Sequence, residues 1–142
     1  MSIFVGLDTG VHTGIAVWDS RAKQLTNVRT VKIHEAMKMV EELHEATAGN
    51  ILVVFEDARQ RKWLPRERSL REFKGRAMGA GSVKRDATIW QDFLTDARIP
   101  FEMVPPRAGM TKWNKAYWER VTGYKGRTSE HGRDAALLVW GR

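Results

Sequence analysis

A chain of 142 residues fits one domain with a single core and leaves no room for a second. It contains no cysteine, which excludes disulfides and thiolate zinc sites, and no apolar stretch approaches the roughly 20 residues of a membrane span. Lys and Arg number 24 against 17 Asp and Glu, a surplus of +7 that favours polyanionic partners. With Met1 leading straight into an apolar strand, the expectation is a cytoplasmic protein with no membrane contact and no small-molecule cofactor.

Ile3 to Asp8 reads as a buried strand, joined by the glycine-containing turn Thr9 to Thr13 to a second strand, Gly14 to Trp18. Leu25 to Ile33 alternates imperfectly and predicts a third, more exposed strand. From Glu35 the period changes to that of a helix, with Ala36, Met39, Val40 and Leu43 on one side and Gly49 as the stop. Ile51 to Asp57 is a branched apolar run too short for a helix, the pattern of a central parallel strand. Val83, Ala87, Trp90, Leu94 and Ala97 mark a long helix that Pro100 ends, followed by a short strand, Phe101 to Val104, and a turn at Pro105-Pro106. A helix with Trp113, Tyr117 and Val121 on one side precedes Gly123, and Ser129 or Thr128 caps a last helix through Ala135, Leu138 and Val139. Three strands in a meander, then alternating helix and strand, predict an α/β fold with a five-stranded mixed sheet flanked by helices, its first and fourth strands adjacent and parallel.

That order brings chemistry to one end of the sheet. Asp8 closes the first apolar run and Glu56 nearly closes the fourth, so adjacent parallel strands set them side by side at their carboxyl ends. His131 and Asp134 lie three apart on the last helix, hence on one face. Singly, each has an ordinary explanation: Asp8 as a turn acceptor, Glu56 or Asp57 as a counter-ion for Arg59, His131 and Asp134 as first-turn helix residues. Together they make a metal site rich in hard oxygen donors, suited to Mg2+, with His131 as a softer ligand or proton relay and Mn2+ as an acceptable substitute. Two such ions activate a water and stabilise the leaving oxygen of a phosphodiester. Because neighbouring strand residues face opposite ways, only one of Glu56 and Asp57 can point at that site.

The basic charge is concentrated beside it. Residues 59 to 76 carry eight basic side chains, Arg59, Arg61, Lys62, Arg66, Arg68, Arg71, Lys74 and Arg76, against Glu67 and Glu72. A charge run is usually a solvated face, but one that directly follows Glu56 suits a phosphodiester substrate. Trp63 within it suits either stacking on an unpaired base or packing on the body of the domain.

Gly6-Leu7-Asp8-Thr9-Gly10 with Thr13-Gly14, the strand ending Val54-Phe55-Glu56, Gly81-Ser82-Val83-Lys84-Arg85-Asp86, Val104-Pro105-Pro106, and His131-Gly132-Arg133-Asp134-Ala135-Ala136 resemble the motifs of RuvC-type Holliday junction resolvases, especially their short phage-encoded branch. The resemblance spans nearly the whole chain. It implies an RNase H-like fold, a homodimer and Mg2+-dependent nicking of branched DNA, with four-way junctions the expected substrate, two Mg2+ ions expected per site, and the host cytoplasm the compartment if the chain is phage-encoded. The small residues Gly79, Ala80 and Gly81 place the expected two-fold contact on the long helix, around Gly79 to Leu94. Asp8, Glu56 and Asp134 match the family's metal-binding carboxylates, and His131 a position that is Asp in some members and His in others. Lys112 and Lys115 lie roughly where the family has basic residues near the scissile phosphate, and Lys84 belongs to the matched motif on the long helix. Where better-known members place an aromatic soon after the glutamate, this chain has Asp57 to Lys62 first and only then Trp63. The expected function is therefore a metal-dependent junction endonuclease using water as nucleophile. Its rivals are a nuclease of the same fold acting on RNA or other branched DNA, and a binding module without turnover.

Overall fold

The computed structural model describes residues 2–60, 70–106 and 113–142, with backbone alone for 70–80. Its strands are β1 (Ile3–Asp8), β2 (His12–Asp19), β3 (Gln24–Lys32), β4 (Ile51–Glu56) and β5 (Phe101–Val104). Its helices are α1 (Ile33–Ala46), α2 (Leu70–Asp96), α3 (Lys115–Thr122) and α4 (Glu130–Leu137), and Ala58–Gln60 forms one 3₁₀ turn. The five strands make one sheet in the order β3-β2-β1-β4-β5, antiparallel through the meander and parallel from β1 across β4 to β5.

β1 and β4 read as unbroken apolar runs because both faces of the sheet are covered there. Val5, Leu7, Val53 and Phe55 pack against α1 and α2 with Ala36, Val40, Ala87, Trp90 and Leu94. The alternate residues Phe4, Leu52 and Val54 turn to the other face, where Ala16, Trp18, Trp118, Ala135 and Val139 make a second core cluster. No helix among the described residues is long and apolar enough to cross a membrane.

Several elements depart from the sequence reading. β2 begins at His12, so the connecting turn is shorter than Thr9 to Thr13. α1 begins two residues early, because β3 runs directly into it and Lys32 takes the N-cap position with no side-chain bond, leaving no capping residue to announce the start. In α2 Val83 is exposed, and among the described side chains of the helix the buried positions begin at Asp86 and Ala87. In α3 the buried aromatic is Trp118. Trp113 precedes the helix, edge-on to an exposed Tyr117 at 4.8 Å between ring centroids. Asn114 caps that helix by accepting a bond from the Tyr117 backbone N–H, and Ser129 caps α4 the same way from Gly132.

Candidate metal centre

α4 reaches the sheet through gaps left by glycines. A Cβ at Gly6 of β1 would overlap the Ala135 carbonyl, and one at Gly14 of β2 would overlap the carbonyl of His131. Without those side chains the helix backbone lies directly on the strands. Its N-terminus is pinned to β3 by a 2.6 Å hydrogen bond between the Ser129 and Thr30 hydroxyls, so Ser129 both caps the helix and ties it down.

The result is a cluster at the carboxyl end of β1. Asp8, His131 and Asp134 each offer a ligand atom, and these atoms lie within 4.8 Å of one another. His131 Nδ1 is 2.8 Å from Asp8 Oδ2, with both side chains partly exposed to solvent. Thr13 donates to the Gly10 carbonyl at 2.7 Å, which shapes the turn immediately beyond Asp8.

Glu56 lies outside that three-residue group yet beside it. Leu7 of β1 pairs with Phe55 of β4, so Asp8 and Glu56 are the next neighbours in register, and strand alternation turns both toward α4. Asp57 turns the other way. It is buried, and Arg59 donates to Oδ1 from Nε at 2.7 Å and to Oδ2 from Nη2 at 3.2 Å. The Arg59 guanidinium holds the Asp57 carboxyl below its ordinary value, against a smaller opposing effect of burial.

The basic residues divide. Arg59 is engaged by Asp57 on the face away from the cluster, and its Nη2 also donates to Gln91 Oε1 at 2.7 Å. Lys84 is exposed on α2, and Lys115, exposed at the start of α3, lies 3.8 Å from Glu119. Arg61, Lys62, Trp63, Arg66, Arg68 and Lys112 lie outside the described residues. Two polar residues escaped the sequence reading: His12 and Lys32 are directly paired across β2 and β3, and both are exposed. By strand parity they share the face of Asp8 and Gly14, two residues further toward the open end. Their parity is the available clue, hidden where the sequence reads His12 as part of a turn.

A mixed five-stranded sheet with an antiparallel meander, parallel pairing from β1 across β4 to β5 and helices on both faces is the RNase H-like architecture. No family model matches the sequence, and no curated protein does. Among solved structures the chain is similar to the T. thermophilus RuvC structure described as being in complex with Holliday junction substrate, with a TM-score of 0.52 and 18% identity. The match covers 99% of this chain and 92% of that one, and at this identity it establishes the shared fold.

Proposed function

We propose that this chain is a divalent-metal-dependent endonuclease that resolves four-way DNA junctions by paired nicks, as a single-domain homodimer. The observation that carries the reading is the convergence of Asp8, His131 and Asp134 within 4.8 Å at the carboxyl end of β1, on a fold shared with a RuvC whose structure is in complex with Holliday junction substrate.

The donor set fits hard divalent cations. Carboxylates dominate it and the one imidazole is a borderline donor, which suits Mg2+ and tolerates Mn2+. Asp8, Asp134 and Glu56 would hold two ions, with His131 as a further ligand. When bound, such ions supply an attacking water at neutral pH and charge to stabilise the leaving oxygen. The chain itself orients: Asp8 fixes the His131 ring through Nδ1, and the glycine-seated α4 holds Asp134 against β1. Lys84 and Lys115, with Arg61, Lys62, Arg66, Arg68 and Lys112, would take backbone phosphates, and Trp63 would stack at the branch point.

A junction is roughly two-fold symmetric and its resolution needs two matched nicks, which a symmetric dimer provides. The exposed apolar residues Val83 and Ile89 on α2 fit that role. The experiment is cleavage of a four-way junction in Mg2+, beside matched duplex, flap, RNA–DNA hybrid and RNA substrates. Asp8→Asn, Glu56→Gln and Asp134→Asn should each abolish cleavage while leaving junction binding largely intact. Wild-type cleavage by any of them removes that residue from the site. Preference for RNA or for flaps over junctions would move the substrate, and no metal-dependent cleavage at all would leave a binding module.

A further inference from the structure

Asp57 and Arg59 form a dense polar contact at the exit of β4. Asp57 is held through every group it has to offer. Its backbone N–H donates to Val104 of β5 at 2.8 Å, its Oδ1 accepts from Arg59 Nε and from the Arg59 backbone N–H at 3.0 Å, and its Oδ2 accepts from Arg59 Nη2. Arg59 in turn spans to α2, donating to Gln91 Oε1 at 2.7 Å and to Thr88 Oγ1 at 3.4 Å, and its Nη2 lies 3.4 Å from the Met103 sulfur of β5. One guanidinium thus ties the end of β4 to the helix and to the strand beside it.

Replacing a buried ion pair by apolar residues of similar volume is often neutral or stabilising, so stability alone does not account for a contact this specific. Glu56 and Asp57 share a peptide unit, and adjacent strand residues face opposite sides. Clamping the Asp57 carboxylate to the α2 face therefore commits Glu56 to the α4 face, next to Asp8. We infer that Asp57 and Arg59 are positioning residues for the metal centre, acting through Glu56, and that Arg59 is not a DNA contact. The inference rests on the metal-dependent reading above. It also gives Arg59 a different role from the one proposed above for its basic neighbours in sequence.

The test measures Mn2+ binding directly, by the loss of the free-ion electron paramagnetic resonance signal, in the wild type, Asp57→Asn, Arg59→Ala and the double variant. Each single variant should weaken Mn2+ binding about tenfold, as loss of a partner that orients a ligand does. The double variant should be no worse than either single one, because the two act as a unit. Junction binding by Arg59→Ala should keep the wild-type dependence on salt, whereas loss of a phosphate contact would lower that slope by about one unit. Arg59→Lys, which keeps the charge and one bond, serves if the truncations fold poorly, with an intermediate loss of Mn2+ affinity expected. Unchanged Mn2+ affinity in folded variants, or a reduced salt slope for Arg59→Ala, overturns the inference while leaving the nuclease reading standing. A wild type that binds no Mn2+ overturns both.

Discussion

Replacing Gly14 by alanine should separate folding from metal binding. In the structure a Gly14 Cβ would overlap the His131 carbonyl and would come within 2.9 Å of the His131 Cβ. Carbon atoms in ordinary contact sit about 3.5–4.0 Å apart, so α4 must rise by on the order of 1 Å. Overpacking of this kind costs about 1–3 kcal/mol, or roughly 4–12 °C in Tm for a domain of this size. The same rise is far more damaging at the candidate metal centre. It would stretch the 2.8 Å contact between His131 and Asp8 beyond hydrogen-bond reach, and metal ligands tolerate displacements of only about 0.2 Å. A wild type held at a hundred times its Kd for Mn2+ should gain about 2.7 kcal/mol, hence a rise in Tm of roughly 10 °C. Gly14→Ala should remain folded and lose most of that rise. Thermal unfolding with and without Mn2+ reads both quantities on one sample. A variant with wild-type Tm and an undiminished response would mean that the helix takes the extra carbon without lifting, and the glycine gap would not be what seats His131.

Replacing Arg61, Lys62, Arg66 and Arg68 together with alanine should lower the salt dependence of junction binding by roughly three to four units, and Lys32→Ala by about one, measured as the slope of log affinity against log salt. Trp63→Ala should weaken junction binding more than duplex binding in the same titrations; equal losses would return the ring to a packing role. Asp57→Asn should cost about 1–3 kcal/mol at pH 7, moderated because its partner Arg59 is partly open to solvent. The carboxyl is held below its ordinary value of 3.8, so its stabilising effect is full above that pH and fades as the pH falls through the lowered value. Unfolding curves of wild type and Asp57→Asn should therefore converge below about pH 3.8. Ile89→Arg should split the proposed dimer in sedimentation and slow the second nick of a junction more than the first; a wild type that sediments as a monomer while cutting both strands in one encounter refutes that dimer.

The sheet was legible in the sequence because its two central strands are the two runs, Ile3 to Leu7 and Ile51 to Phe55, that need apolar cover on both faces. Where the reading slipped, local pattern had little to act on. α3 has only two turns, and Trp113, Tyr117 and Trp118 offer more aromatics than one narrow stripe can bury, so periodicity chose Tyr117 while the fold buries Trp118. Val83 falls on the helical stripe by spacing, yet it is exposed, because spacing alone does not tell which part of a long helix lies against the core.

The candidate site was legible as a set of residue types and opaque as a mechanism of assembly. Asp8, His131 and Asp134 could be singled out from their positions at element ends, and the choice between Glu56 and Asp57 depended on a register that only the paired strands supply. What the sequence displayed without explaining was Gly6 and Gly14. Both fall within the strands expected from the sequence, where glycine weakens the element unless another backbone must come close. That backbone is α4. Because the helix bearing His131 and Asp134 meets the strand bearing Asp8 through missing side chains, the acidic cluster is built by close packing as much as by charge. It follows that substitutions at these glycines should disturb the metal centre as severely as loss of a ligand, although neither glycine offers an atom to a metal.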